Sequence, residues 1–325
     1  MFKQFELLQE GHCNIAVRSL EVALTSKCNF HCPYCGAYKG NVATANRLTL
    51  SDLISVLEKC PDLHRLKLSG GEVTLLFDDC LRICEYCKER GIELQINSNA
   101  TLLNRDKIQQ LKMAGLDILH VSLNFTDADS YSRYYKVRKE VFSTLLDNIR
   151  IAAEELTCVV ETILFSETMY TLSQISQLIY GLGVRIHEIQ YGICQDNWTT
   201  GITETGNVCD ALIQLFENRP DEMSIYLSCF KLIEGSKEEK RLRPYINEGK
   251  VFITNCIDGI SQFHLHDNGD LIVCDLGYPQ VITNIYTSDV HLVLPDLSNS
   301  EVVQKFIRNG HNCQKRCYLG GGKDA

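Results

Sequence analysis

The sequence lacks an excess of positive charge. Its 32 Lys and Arg are outnumbered by 41 Asp and Glu, for a net charge of −9. That balance excludes a nucleic-acid binder held by phosphate neutralisation. No apolar run reaches the ~20 residues that span a bilayer. The first residues, MFKQFELLQEGHCN, lack a cationic segment followed by an apolar one, so no secretory signal is read there and a cytoplasmic setting is expected. Proline is scarce, at 6 of 325 residues. With 45% hydrophobic and 22% charged residues, the composition is that of a globular chain, not a disordered or collagenous one. The length allows one large domain, or one domain with a smaller appendage.

Cysteine, by contrast, is abundant, with 16 residues. In a long chain without an export signal, a disulfide framework is not expected. Clustered cysteines then read as metal ligands and scattered ones as small buried hydrophobes.

From about residue 19 to 193, strand-like alternation recurs. Leu20, Val22 and Leu24 form one set, followed by Leu66 and Leu68, by Ile92, Leu94 and Ile96, and by Leu119, Val121 and Leu123. Cys158–Leu164 and Ile186–Ile193 are further strand candidates. Helical patterns lie between them at about 50–59, 76–90, 104–114, 141–155 and 172–182. Gly91, Gly115 and Gly183 follow helices as stop signals. Six βα units in series imply an α/β fold with a parallel sheet, too short for a closed eight-stranded barrel and therefore an open partial barrel. Such folds place their chemistry at the C-terminal strand ends. Here those ends carry Ser69-Gly70-Gly71-Glu72, Asn97-Ser98-Asn99 and Ser122-Leu123-Asn124. The expected division is a core over 1–200, a connecting segment over 201–246 with a charged stretch at Glu234–Arg243, and a small cysteine-bearing domain over 247–325.

Cys28, Cys32 and Cys35 form C-x3-C-x2-C directly after the first strand. A loop of this length can wrap three thiolates around one face of a [4Fe–4S] cube and leave one iron open. Zinc is the alternative, but a structural zinc site needs a fourth protein ligand, for which only His31 lies close by. Cys80, Cys84 and Cys87 repeat the spacing inside a helical pattern, where they fall on one face and read as packed thiols.

The run Cys28-Asn29-Phe30-His31-Cys32-Pro33-Tyr34-Cys35, with Gly70-Gly71-Glu72 at the second strand end, resembles the radical S-adenosylmethionine (SAM) superfamily. The resemblance implies a partial (β/α)6 barrel whose open iron binds SAM. It places Gly70, Gly71 and Glu72 by the methionine amino group, and Tyr34 and Ile189 against adenine. Ser98, Asn99 and Ser122 would bind ribose and carboxylate, helped by Arg138, with Arg133 competing for that role. Relatives often carry Asp where this chain has Asn124.

Cys256 and Cys274 frame Gly269 as C-x12-G-x4-C, and Cys313 and Cys317 follow as C-x3-C. In relatives the first pattern encloses a β-hairpin, and four thiols make one further cluster. The resemblance therefore implies a shortened auxiliary domain of the twitch type, related to SPASM domains, with a second [4Fe–4S] cluster. Zinc is again the alternative. Cys229 ends a strand-like run and could return a hydrogen atom to a substrate radical; a buried core thiol is the other reading. The remaining scattered cysteines, Cys13, Cys60, Cys158, Cys194 and Cys209, read as packing residues.

The implied reaction is reductive SAM cleavage followed by hydrogen-atom abstraction, fed by an electron donor such as flavodoxin or ferredoxin. Peptide-modifying relatives often carry an N-terminal leader-binding domain of about 80 residues, well beyond ordinary loop lengths. Only 27 residues precede Cys28, so a small polar natural product (an amino sugar, aminocyclitol or nucleoside) is the expected substrate. Its fate would be epimerisation, oxidation or rearrangement. A ribosomally made peptide, epimerised or cross-linked, is the alternative. A non-catalytic iron–sulfur or zinc protein is the reading from another class. Neither nucleic acid nor membrane is expected as a partner.

Overall fold

A computed structural model describes residues 14–35, 48–191, 205–228, 230–254, 257–275, 278–287, 294–310 and 318–319. Strands β1 (Ser19–Thr25), β2 (Arg65–Gly70), β3 (Glu93–Ser98), β4 (Ile118–Ser122), β5 (Thr157–Leu164) and β6 (Ile186–Tyr191) lie side by side in chain order, all parallel. Helices α1 (Leu50–Leu57), α2 (Phe77–Arg90), α3 (Arg105–Ala114), α4 (Ala128–Tyr135), α5 (Glu140–Glu155) and α6 (Leu172–Gly181) connect them. Gly91 and Gly115 end α2 and α3. Helix α4 has no aliphatic period to announce it. Asp127 caps it, accepting from the Ser130 N–H at 2.8 Å, and Tyr131 and Tyr135 bury its inner face.

The sheet has two unlike faces because strand side chains alternate. Leu20, Val22, Leu66, Leu68, Leu94, Ile96, Leu119 and Val121 are fully buried and join the buried residues of the helices in one core. The opposite positions hold Glu21, Lys67, Gln95, His120, Glu161 and Glu188. Sheets of this kind are usually apolar on both faces. The polar face here lines a chamber. In a flat sheet β2 and β6 would stand about 19 Å apart. Lys67 on β2 nonetheless acts electrostatically on Glu188 of β6, so the sheet curls around that chamber.

Both sheet edges are extended. β7 (Ser224–Ser228) pairs parallel with β6, and β9 (Val251–Ile253) with β7. On the other side β10 (Gln262–Leu265) pairs parallel with β1, and β11 (Asp270–Cys274) and β12 (Tyr278–Asn284) follow antiparallel. One eleven-stranded sheet results. It runs through the expected boundaries at 200 and 246, since strands beyond residue 247 continue both edges of the core sheet. The short pair β8 (Lys231–Leu232) and β13 (Tyr318–Leu319) stands apart. Helices α7 (Thr205–Asn218), α8 (Lys237–Asn247) and α9 (Glu301–Gly310), with short 3-10 helices at Val73–Leu76 and Leu294–Asn299, complete the described elements. The charged stretch at 234–243 feeds α8, which Ser236 caps and which Leu242 anchors fully buried. Among the described residues no helix is long and apolar enough to cross a membrane.

Candidate active site

Cys28, Cys32 and Cys35 sit on the turn that leaves β1, each half-buried and none in a disulfide. The Cys35 N–H donates to the Cys32 carbonyl at 3.1 Å, folding the loop back on itself. The Phe30 N–H donates to the Cys28 sulfur at 3.3 Å. Burial pushes the Cys28 thiol up and the Cys32 thiol to about 12, and the thiols at 28 and 35 add to the Cys32 shift by mutual repulsion. Three thiols close enough to repel one another on one turn suit a shared metal cluster, whose binding must release their protons. The exposed His31 ring donates from Nδ1 to the neighbouring Phe30 carbonyl at 2.7 Å.

The Gly-Gly-Glu segment clamps this loop. A Cβ on Gly70, whose φ is +116°, would stand 2.5 Å from the Thr25 carbonyl oxygen; one on Gly71 would stand 2.0 Å from that of Lys27. The glycines therefore let β2 press against the residues that lead into the cysteines. The Gly71 N–H donates to Thr25 O at 2.7 Å and the Glu72 N–H to Lys27 O at 2.8 Å. The buried Glu72 carboxylate holds β2 to β3. Its Oε1 accepts from the Thr74 hydroxyl at 2.6 Å and the Ser98 hydroxyl at 2.7 Å, and its Oε2 accepts from the Asn99 N–H at 2.8 Å. Asn99 in turn donates to Asn29 Oδ1 at 2.8 Å, and Asn29 donates to Thr101 at 3.0 Å. The structure thus brings Gly70, Gly71, Glu72, Ser98 and Asn99 together around the cysteine loop.

At the barrel mouth, Tyr34 packs against Phe165 and Tyr134, with ring centroids 5.9 and 6.2 Å away. Asn124 donates to the Tyr34 hydroxyl at 3.0 Å and to the Tyr135 hydroxyl at 2.6 Å, and its Oδ1 accepts from the Ile163 N–H at 2.8 Å. Asn124 is thereby a fastener between cysteine loop, α4 and β5. Beside this layer opens a cleft of about 500 Å³, lined by Pro33, Phe125, Arg133, Tyr134, Lys136 and Glu167 among others. That volume is in the range of small-molecule sites. Arg133 lines the cleft, whereas Arg138 is exposed on the turn between α4 and α5. Ser122 is half-buried at the end of β4. Ile189 is fully buried and pairs with Thr162 and Leu227, on the face of β6 opposite Glu188.

Below the mouth, on the inward face, His120 bridges two carboxylates. Its Nδ1 lies 3.3 Å from Glu161 and its Nε2 3.2 Å from Glu188. Burial opposes charge on His120, but the Glu188 hydrogen bond and the charges of both glutamates outweigh it, so its pKa stands above the ordinary imidazole value. Burial raises Glu161 above the usual carboxylate range, while the His120 contact pulls Glu188 below it despite burial.

The sequence profile described as the Radical SAM superfamily matches residues 22–179, the stretch that contains the cysteine loop, its Gly-Gly-Glu clamp and the strands that line the chamber. The chain carries a radical SAM domain. Domains of this superfamily are enzymatic and use SAM with a [4Fe–4S] cluster. A protein of unassigned function from Methanocaldococcus jannaschii, MJ0804, is 30% identical over 151 residues, which are 44% of this chain and 46% of that protein. A probable GTP 3',8-cyclase from Methanocella arvoryzae is 30% identical over 140 residues, 42% of this chain and 43% of the cyclase. The chain thus spans under half the length of each of these relatives. In fold it is similar to Streptococcus suis SuiB bound to S-adenosylmethionine, with a TM-score of 0.67 at 15% identity over 90% of this chain and 68% of SuiB. SuiB is also known bound to the precursor peptide SuiA.

Beyond the radical SAM domain, Cys274 is buried at the end of β11. The hairpin expected around Gly269 is present as β10 and β11, with the Gly269 N–H donating to His266 O at 2.9 Å across the turn. Cys229, Cys256, Cys313 and Cys317 lie outside the described residues, as do Cys13 and Cys194. Cys80, Cys84 and Cys87 are fully buried on α2, as packed thiols should be. Reading the sequence for motifs passed over the His120, Glu161 and Glu188 group and the Asn29–Asn99 latch. The first had a signal: charged residues at alternate positions of strands in a parallel sheet. The latch had none, because Asn29 and Asn99 are 70 residues apart.

Proposed function

We propose that the chain is a radical SAM enzyme acting on a small polar substrate held in the charged chamber. The clamp of Gly70, Gly71 and Glu72 on the Cys28–Cys35 loop, directly above that chamber, is the observation that carries the reading. When bound, the cluster supplies the electron that splits SAM into methionine and a 5'-deoxyadenosyl radical able to remove a hydrogen atom from a C–H bond. Cys28, Cys32 and Cys35 would hold that cluster. Glu72, Ser98 and Asn99 fix the loop; Glu72 and Ser98 are buried and bonded to each other, so either would have to be uncovered to reach SAM, whereas Asn99 and Ser122 are half-buried at the mouth. Tyr34 offers its ring, braced by Asn124, to adenine. Of the two arginines, Arg133 has the cleft position, while Arg138 would have to swing in. The aromatic layer of Phe125, Tyr134 and Phe165 shields the site from water.

Cys256, Cys274, Cys313 and Cys317 would hold an auxiliary [4Fe–4S] cluster of the twitch type. Cys229, one residue beyond β7, would give its thiol hydrogen to the substrate radical and be left as a thiyl radical. The electron donor would be a flavodoxin or ferredoxin. The setting would be reducing and cytoplasmic, in keeping with ten described cysteines none of which is in a disulfide.

Incubation of the anaerobic, cluster-loaded chain with amino sugars, aminocyclitols and nucleosides in deuterated water tests this. One of them should stimulate 5'-deoxyadenosine formation and return as product, carrying deuterium where Cys229 is the donor. Cys229→Ala should still cleave SAM and lose the product; unchanged product yield removes that role. A second reading, maturation of a ribosomally made peptide, is favoured by the likeness to SuiB and by Phe252, 36% exposed on the edge strand β9. Stimulation by a peptide and by none of the small compounds would establish it instead.

A further inference from the structure

The Tyr34 hydroxyl is hydrogen-bonded to the Cys32 sulfur, a bond that pulls the thiol down against the burial that raises it. The same hydroxyl lies 3.0 Å from Asn124 Nδ2 and 3.3 Å from the Tyr135 hydroxyl, and Asn124 Nδ2 lies 2.6 Å from the latter. One fixed donor sets the direction of these bonds. The Ile163 N–H, 2.8 Å from Asn124 Oδ1, can only donate, so the amide oxygen faces it and the amide nitrogen faces the two phenols. Both phenol oxygens therefore accept from Asn124, and both phenol protons are left for other acceptors. Burial holds the two phenols well above the usual tyrosine value, so each keeps its proton. A ligating cysteine is a thiolate, which can only accept. In the loaded loop the Tyr34 proton is then given to Cys32, and the Tyr135 proton to the Tyr34 oxygen. Phe30 and Phe125 pack on Tyr135 with ring centroids 5.5 and 5.8 Å away, and Phe165 packs on Tyr34 at 5.9 Å. In such an apolar layer a chain of hydrogen bonds is stronger than in water.

We infer that Asn124 and Tyr135 aim the Tyr34 hydroxyl at the Cys32 sulfur, and that this hydrogen bond raises the reduction potential of the cluster Cys32 helps to hold. The inference rests on the reading of Cys32 as a cluster ligand. Hydrogen bonds to ligating sulfurs are among the levers on such potentials. The sign follows from charge. The reduced cluster carries one more negative charge than the oxidised one, so a donor on its sulfur stabilises the reduced form more. Asn124→Asp would act against this, because a carboxylate accepts from both phenols and draws the Tyr34 proton away from the sulfur. Asn124 is thus a positioning residue that acts through Tyr34.

The test is a redox titration of the full, cluster-loaded chain without SAM, followed by EPR on the signal that changes when SAM is then added. At the parent's midpoint potential, Tyr34→Phe should lower the ratio of reduced to oxidised cluster at least three-fold. Tyr131→Phe, which takes a hydroxyl from the same buried layer but outside this chain of bonds, should leave the ratio unchanged. Tyr135→Phe should lower it by a smaller factor than Tyr34→Phe. Asn124→Asp should lower it in the parent and have little further effect in Tyr34→Phe. A Tyr34→Phe midpoint equal to the parent's overturns the proposal, as does an equal fall in Tyr131→Phe. If Asn124→Asp acts equally with and without the Tyr34 hydroxyl, its charge acts alone and the positioning role is removed. Where Tyr34→Phe does not load, an unchanged midpoint in Tyr135→Phe and Asn124→Asp overturns the proposal instead. A parent chain with no cluster signal that responds to SAM would remove the reading of Cys32 itself, while a responsive cluster with an unmoved potential would remove only the tuning.

Discussion

Gly71 shows how little room the cysteine loop has. A methyl group there would meet the Lys27 carbonyl at 2.0 Å, an approach that only a backbone shift can relieve. Gly71→Ala should cost about 1–3 kcal/mol of stability, the range for overpacking. It should also speed alkylation of Cys28 and Cys32 in the metal-free chain, read by thermal melts and timed thiol labelling. Unchanged melting and labelling would show that the clamp is not tight. His120 makes a pH-dependent contribution. Its pKa is raised in the folded chain above the unfolded value of about 6.5. The stabilisation is therefore complete below about pH 6.5 and is lost as pH rises through the folded value. Glu161, also raised, acts in the same direction. Stability should fall on the alkaline side, by at most about 1.4 kcal/mol per pH unit for each proton released. His120→Asn should flatten that slope in denaturant titrations; an equal slope in the variant would place its origin elsewhere.

At the scale of elements, a hydrogen bond ties the β10–β11 hairpin to the start of the cysteine loop: the Ser26 N–H donates to the Asp267 carboxylate at 2.7 Å. Asp267→Ala should remove about 2 kcal/mol, as for a hydrogen bond to a charged group. Hydrogen exchange should rise at residues 26–30 and not at α5; an unaltered exchange pattern would contradict the coupling. The helices and parallel strands of the core were legible in the sequence because Leu, Ile and Val recur there at periods of 3.6 and 2. Helix α4 was not, because its buried side chains are tyrosines spaced among polar residues. The pairing of β10 with β1 was also hidden. Ser19 and Gln262 meet across 243 residues, and local pattern carries no information about such partners. In the site, the cysteines and Gly-Gly-Glu stood out as compact motifs. That Glu72 is met by Ser98 and Asn99, and Asn124 by two tyrosines, depends on strand adjacency that only the fold supplies.

For the whole molecule, one curled sheet does two things. Its outer face packs the helices, and its inner face keeps charges around a chamber capped by the cysteine loop. Both edges are lengthened by later strands, so the segment bearing Cys274 is built onto β1, the strand that leads into Cys28. Loading and chemistry of the loop should therefore depend on the sheet being intact. The central claim is met most directly by one measurement. The chain is isolated without oxygen, loaded with iron and sulfide, reduced with dithionite and given SAM, and 5'-deoxyadenosine is quantified beside bound iron. The account expects a brown protein with about eight iron atoms, the content of two four-iron clusters. It also expects 5'-deoxyadenosine, with Cys28→Ala, Cys32→Ala and Cys35→Ala each abolishing it and each holding about four fewer iron atoms. A colourless protein with stoichiometric zinc and no 5'-deoxyadenosine would contradict it.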